Sequence, residues 1–285
     1  MKHEKPKAVK DAGKTGKPLR TDWGEVASWY DKLVGESGSE YHREVVLPGV
    51  LRLLAPQKGE RMLDVACGQG VLCRILQERA IEVTGVDAAI DLIRAARERG
   101  PADIRYQLGD ANDLNFLAPG SFDAVACVLA IQNIHPLQPV CAGASRALRT
   151  GGRFVIVMMH PCFRGPKETS WGWDDKAIVQ YRRVDRYLIP RKAPIVTHPG
   201  SAPDQYTWTF HRPVGAYVKA MRQVGILVDT IDEWTSHKFS TGGNARSAAE
   251  NLARKEIPMF LAMRGIKVGP IEPPGTSEAT FEGAE

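Results

Sequence analysis

Between residues 61 and 159, short apolar runs alternate with helical segments, and this alternation leaves few folds open to the chain. Arg61–Ala66 (RMLDVA), Glu82–Val86, Ile104–Leu108, Phe122–Leu129 and Arg153–Met159 read as strands. Val71–Ala80, Ala89–Arg99 and Pro139–Leu148 read as the helices between them, with Gly100-Pro101 and Gly151-Gly152 as stops. Strands of this length separated by helices make βαβ units and a parallel sheet. Their near-continuous apolar character suits strands covered on both faces. Pro213–Val224 adds a helix, and Ile226–Ile231 and Ile257–Met263 add two strands. The expected fold class is therefore α/β: a doubly wound, seven-stranded, mostly parallel Rossmann-like sheet. Two stretches, 160–212 and 233–256, break the rhythm. Long connections in such folds are commonly lids or binding loops, so 160–212 is expected to be a lid inserted after strand five. Ala245–Lys255 reads as an ordinary surface helix.

Composition excludes several classes. The chain is 43% hydrophobic and 25% charged, as expected of a soluble globular protein. The longest apolar runs (Phe154–Met159 and Ala124–Ile131) fall far short of a membrane span, and the first residues lack the apolar segment of a secretory signal. The five cysteines are an odd number without C-x-x-C spacing, which points to a reducing, cytoplasmic setting. The net charge of +5 is local: residues 1–20 carry seven basic and two acidic groups, and the remaining 265 residues carry 31 of each. A basic tail on a neutral body is a weak nucleic-acid signal. Residues 1–20 are expected to be a disordered basic tail, 269–285 a flexible acidic tail, and 21–268 the folded domain.

In an open α/β sheet the ligand lies beyond the carboxyl ends of the strands. After the first strand comes Asp64-Val-Ala-Cys67-Gly68-Gln69-Gly70, whose glycines allow a tight turn and a close backbone approach. Asp87 and Ala88 follow the second strand, and a carboxylate there can accept hydrogen bonds from both ribose hydroxyls of a nucleoside. Asp110 and Ala111 follow the third, at the height of an adenine edge. Two features separate this pattern from a dinucleotide fingerprint. Its third glycine position holds Cys73, and Asp64 stands where a pyrophosphate would sit. Like charges about 4 Å apart cost on the order of 4 kcal/mol at an effective dielectric near 20. A cationic, phosphate-free nucleoside suits the site better.

The segments DVACGQG, Asp87, LGDAND, the apolar run before Leu129, and RALRTGGRFVIV together resemble the motifs of class I S-adenosylmethionine-dependent methyltransferases. Within that class the chain is most similar to the small-molecule enzymes of the ubiquinone and menaquinone biosynthesis type, and the opening Val26-Ala-Ser-Trp29-Tyr30-Asp31-Lys32-Leu33 is familiar from the same group. The resemblance covers residues 25–160 and implies a seven-stranded sheet whose last strand is antiparallel. It implies S-adenosyl-L-methionine as cofactor and S-adenosyl-L-homocysteine as product. It also implies roles: Asp64, Cys67, Gly68 and Gly70 lining the methionine portion, Asp87 and Ala88 the ribose, and Asp110 and Ala111 the adenine. Leu129 would touch the cofactor from below, and Tyr30 would cover its methionine end. Cys67 stands where the family often has glycine.

Residues 160–212 concentrate three histidines, three of the six tryptophans and many arginines beside the expected position of the methyl group. Aromatic walls suit a flat or apolar acceptor. Phe163, Trp171, Trp173, Trp208 and His135 are the candidate substrate contacts. A base helps where the acceptor is a hydroxyl or an ammonium, and histidine titrates in the right range. His160, directly after strand five, is the first candidate, and His211 is the second. No metal is expected, since the His160/Cys162 pair has no second pair at ligand spacing. The reading is methyl transfer to a small aromatic acceptor, without membrane or nucleic acid as partner and with the oligomeric state open. The alternatives are an RNA methyltransferase using Arg182, Arg183, Arg186, Arg191 and Lys192 as a phosphate patch, an NAD-dependent oxidoreductase, or a non-catalytic nucleotide-binding protein.

Overall fold

The computed structural model describes residues 27–198 and 202–269; for 27, 28, 30, 196–198 and 202–205 it describes the backbone alone. The basic tail assigned to 1–20, residues 270–285 of the acidic tail, and the side chain of Tyr30 lie outside the described residues.

A seven-stranded sheet forms the centre, built from β1 (Arg61–Val65), β2 (Glu82–Asp87), β3 (Arg105–Leu108), β4 (Phe122–Val128), β5 (Leu148–Met159), β10 (Ile226–Trp234) and β11 (Phe260–Lys267). The order across the sheet is β10-β11-β5-β4-β1-β2-β3. β1 runs parallel to β2 and β4, while β11 is antiparallel to both of its neighbours. The chain therefore winds outward from β1 in both directions, with the switch point between β1 and β4, where such sheets bind ligands. The antiparallel last strand expected from the resemblance is present.

Alternation of side chains along each strand divides the core into two layers. Val125 and Cys127 of β4, with Phe154, Ile156 and Met158 of β5, face helices α5 (Leu137–Ala147) and α6 (Val214–Gln223). Ala124, Ala126, Val155 and Val157 face the other way, toward α2 (Leu47–Leu54), α3 (Val71–Gln77) and α4 (Ile90–Arg99). Both faces being covered explains why these strands are apolar without interruption. α1 (Ala27–Val34) leans on α4, where Arg99 pairs with Asp31 at 2.7 Å. α7 (Ala245–Glu256) starts at Asn244, whose side chain accepts from the Ser247 N–H at 2.9 Å while the Ser247 hydroxyl accepts from the Asn244 N–H.

The insertion after β5 consists of two antiparallel hairpins, β6 (Thr169–Asp174) with β7 (Val179–Val184), and β8 (Arg191–His198) with β9 (Ala202–His211). α7 packs against β7. Sequence reading leaves 160–212 without strands, and it leaves out the helical turns from His42 to Leu54. The latter open with a π-helical turn, His42–Val46, and carry Pro48 within the first turn of α2, where its missing N–H is tolerated. Among the described residues, no helix is long and apolar enough to cross a membrane.

Candidate functional site

Three strand ends meet at the carboxyl edge of the sheet. The turn after β1 is built by left-handed backbone at Ala66 (φ 58°), Gly68 (φ 55°) and Gly70 (φ 78°). A Cβ at Gly70 would fall on the Tyr106 hydroxyl of β3, so both conformation and close approach require glycine there. The turn is tied to β2 by two bonds: the Cys67 N–H donates to the Val86 carbonyl at 3.0 Å, and the Gly68 N–H donates to Asp87 Oδ2 at 2.8 Å. Asp87 Oδ1 accepts from the Ala89 N–H at 2.9 Å, and the Gly109 N–H after β3 reaches the Asp87 carbonyl at 3.0 Å. Asp87 thus links all three strand ends while itself being 8% exposed. Ala88 beside it is exposed, Ala111 is buried, and Asp110 is exposed with its carboxylate capping the Asn112 N–H at 2.9 Å.

Asp64 lies deeper than its sequence position suggests. It is 3% exposed, and the Cys73 thiol donates to its Oδ2 at 3.5 Å. Burial, opposed by that thiol and reinforced by the charge of Asp87, pushes its carboxyl up to about 7. The folded protein therefore holds a proton that the unfolded chain releases above its ordinary value of 3.8. The resulting stability is present at low pH and is lost as the pH rises through about 7. Chemical denaturation is expected to show a fall on the order of 3 kcal/mol between pH 5 and pH 8. Asp64→Asn is expected to flatten it; an unchanged slope would mean the carboxyl ionises normally.

Beside this edge lies a cavity of about 420 Å³. Its floor is Leu129, just past β4, held with φ 54° by a 2.7 Å bond from its N–H to the Val157 carbonyl. The short 3-10 turn Ile131–Asn133 contributes Gln132 and Asn133, β5 contributes Met159, and α1 contributes Leu33. The insertion closes it with Arg164, Thr209, Phe210, His211 and Arg212. Gln132 Oε1 and Asn133 Oδ1 are buried without a hydrogen-bond partner. The lining includes two arginines and no carboxylate.

Of the residues expected from sequence, Leu129 and His211 line the cavity. His160 does not: its Nδ1 accepts from the Cys162 N–H at 3.2 Å, so its Nε2–H donates to Glu233 Oε1 at 2.7 Å. Both nitrogens are engaged, and no lone pair is left for a substrate proton. His211 differs. Its Nε2–H donates to the Tyr187 carbonyl at 2.7 Å, and its buried Nδ1 has no partner. Burial, partly offset by that carbonyl and reinforced by Arg191, holds its pKa below the usual histidine value.

The candidate substrate contacts serve mainly the frame of the insertion. Trp171 stacks under Arg164 at 5.0 Å and Arg182 at 5.2 Å. Trp173 lies under Arg246 of α7, Trp208 under Lys192 at 3.6 Å, and Phe163 against the His160 ring at 4.7 Å. His135 stacks on Phe210 at 4.8 Å, behind the cavity wall. The residues that do line the cavity and went unselected, Gln132, Asn133, Arg164 and Arg212, carried one signal: the first two follow strand four immediately, and all are polar groups within or beside apolar segments. The five cysteines are free thiols, and no cluster of three or more metal-ligating side chains occurs among the described residues.

A carboxylate closing the second strand, on a sheet of this order and with this antiparallel strand, is consistent with the Rossmann-like fold of S-adenosylmethionine-dependent methyltransferases. Residues 63–156 match the methyltransferase domain family. A ubiquinone biosynthesis O-methyltransferase from Paracidovorax citrulli is 33% identical over 103 residues, covering 35% of this chain and 43% of the relative. A demethylmenaquinone methyltransferase from Tropheryma whipplei is 29% identical over 199 residues, covering 68% and 77%. The chain spans half or less of the length of the first curated relatives it matches. A solved S-adenosylmethionine-dependent methyltransferase from Mesorhizobium loti superposes with a TM-score of 0.61 at 27% identity, covering 76% of this chain and 96% of that one.

Proposed function

We propose that the protein transfers a methyl group from S-adenosyl-L-methionine to a small, aromatic acceptor held in the cavity above Leu129. The observation that carries this reading is the buried Asp87 carboxylate, locked onto the glycine turn at the same carboxyl edge of the sheet where the ends of β4 and β5 open into a cavity. The donor set fits the cofactor. Residues 64–73 and 87–89 contain no lysine or arginine, and Asp87 adds a carboxylate at the strand end, a poor bed for a diphosphate and a suitable one for a cationic nucleoside. Relatives named for quinone-biosynthesis methylation support an aromatic acceptor.

In this reading Asp87 accepts from the ribose hydroxyls, the Gly68–Gly70 turn with Asp64 and Cys67 borders the methionine portion, Ala88, Asp110 and Ala111 border the adenosine, and Tyr30 closes over it. Bound there, the cofactor supplies a methyl on a positively charged sulfur; the C–S bond breaks as the bond to the acceptor forms, giving S-adenosylhomocysteine. The protein's own work is positioning, which can supply up to about 7–11 kcal/mol. Leu129 sets the floor against which the acceptor is pressed. His211, fixed as the Nε2–H tautomer by the Tyr187 carbonyl, takes the acceptor proton on Nδ1. The base assigned to His160 from its sequence position moves to His211 because His160 has no free nitrogen. Residues 21–268 form the catalytic domain, with 160–212 as the acceptor-side cover.

The test is direct. S-adenosylhomocysteine at a hundredfold excess over its Kd is expected to stabilise the protein by about 2.7 kcal/mol, read as a thermal shift, while NAD leaves it unchanged. Stabilisation by NAD alone would replace this reading with the oxidoreductase one. Steeply salt-dependent RNA binding would replace the small acceptor with RNA.

A further inference from the structure

Half-buried arginines in this fold are answered either by carboxylates or, as at Arg74 and Arg146, by backbone carbonyls. Arg99 meets Asp31, Arg153 meets Glu60 at 2.7 Å, and Arg264 meets Asp229 at 2.8 Å. Arg164 breaks the rule. Its guanidinium makes no hydrogen bond or ion pair among the described residues, and its Nε is buried and unpartnered. What it faces is the Trp171 ring, which it shares with a second cation, Arg182. Arg182 in turn donates to the Phe163 carbonyl at 2.7 Å and the Thr169 hydroxyl at 2.6 Å, so it too lacks a counter-charge. Arg212, 7% exposed, donates to the Ile134 carbonyl and approaches His135 Nδ1, again without a carboxylate. Burying a cation without a partner is costly. Burial and the repulsion of Arg182 pull Arg164 down to about 10, the mark of a charge held where the protein alone does not compensate it. Residues 160–212 contain nine basic and five acidic side chains, so the cover as a whole leans positive.

We propose that the cavity takes an acid: an acceptor with an apolar body and an anionic group, a carboxylate or a phosphate monoester, that docks on the Arg164 guanidinium under the field of Arg212. A guanidinium offers a planar fork that matches either anion in bidentate fashion. Leu33, Leu129, Met159 and Phe210 supply apolar wall for the remainder of the molecule. The orphaned acceptors Gln132 Oε1 and Asn133 Oδ1 receive donors from the acceptor or the cofactor. Arg164 then works as a specificity-determining residue, placing the acceptor by its charged end so that its nucleophilic end meets the methyl. The proposal rests on reading the cavity as the acceptor site.

Calorimetry on the full chain, saturated with S-adenosylhomocysteine, tests it with four probes: benzoate, 4-hydroxybenzoate, phenyl phosphate and the uncharged benzamide. The acids are expected to bind at least tenfold more tightly than the amide, and whether phenyl phosphate or the benzoates bind best identifies the anion. Arg164→Gln is expected to weaken the preferred acid at least tenfold, Arg164→Lys to keep part of the preference, and both to leave the affinity for S-adenosylhomocysteine unchanged. The wild-type comparison of acid with amide stands even if a variant fails to fold. Equal binding of acid and amide, no binding of any acid by a protein that binds S-adenosylhomocysteine, or a loss of S-adenosylhomocysteine affinity in Arg164→Gln would overturn the proposal; the last would assign Arg164 to the cofactor's own carboxylate. Failure to bind S-adenosylhomocysteine at all would instead sink the methyltransferase reading.

Discussion

Asp87→Ala is expected to weaken S-adenosylhomocysteine binding by roughly a hundredfold. The Asp87 carboxylate accepts the Gly68 N–H at 2.8 Å and the Ala89 N–H at 2.9 Å, so the substitution frees the glycine turn from β2 and strands two buried donors. Hydrogen bonds to a charged group contribute about 1.5–3 kcal/mol each, and the ribose hydroxyls would lose their acceptor at the same time. A net loss of about 3 kcal/mol corresponds to a factor of roughly 150 in Kd. Calorimetry reads the affinity, and the apo melting temperature separates loss of the turn from loss of the fold. Equal affinity in wild type and variant would show that the ribose is held elsewhere.

His211→Phe should lower turnover by about 10²–10⁴-fold while leaving S-adenosylhomocysteine affinity intact, for an acceptor that must lose a proton. The wild-type rate should rise with pH along a limb set by the neutral form of His211, and because burial holds that group below the usual histidine value the midpoint of the limb should fall below pH 6.5. The variant should lose the limb. His160→Ala should differ in kind: it removes a ring buried between Glu233 and the Cys162 N–H, so it should lower the melting temperature more than the rate of the protein that remains folded. Release of S-adenosylhomocysteine with 4-hydroxybenzoate, the acid of the panel above that carries a phenol to deprotonate, measures the rates. Unchanged turnover in His211→Phe removes its role as base.

The sheet was legible because burial on both faces forces its strands to be apolar throughout. Phe122–Val128 and Phe154–Met159 announce themselves, and the glycines and aspartates after β1, β2 and β3 follow from where such sheets bind ligands. The hairpins of the insertion were not legible for the complementary reason. Neither β6 (TSWGWD) nor β7 (VQYRRV) buries a face, so no alternation of apolar and polar residues marks them. Their aromatics were read as acceptor walls, but Trp171, Trp173 and Trp208 each carry a basic side chain on the ring and build the cover itself. At the other end of the chain, Val46, Leu47, Val50 and Leu54 have helical spacing, but Pro48 in their midst disguises the element. Spacing locates a residue on its strand or helix. It does not say which of two histidines keeps a free lone pair, because that depends on Tyr187 and Glu233, 24 and 73 residues away.

The sheet topology also bears on how such a protein diversifies. The groups assigned to the donor molecule come from residues 64–111, apart from Tyr30, whereas most of the polar lining of the cavity comes from the short turn after β4 and from the insertion spliced between β5 and α6. Each hairpin closes on itself through neighbouring strands, so exchanging that stretch leaves the register of the central sheet untouched. Selection can therefore rewrite what is modified without renegotiating what does the modifying.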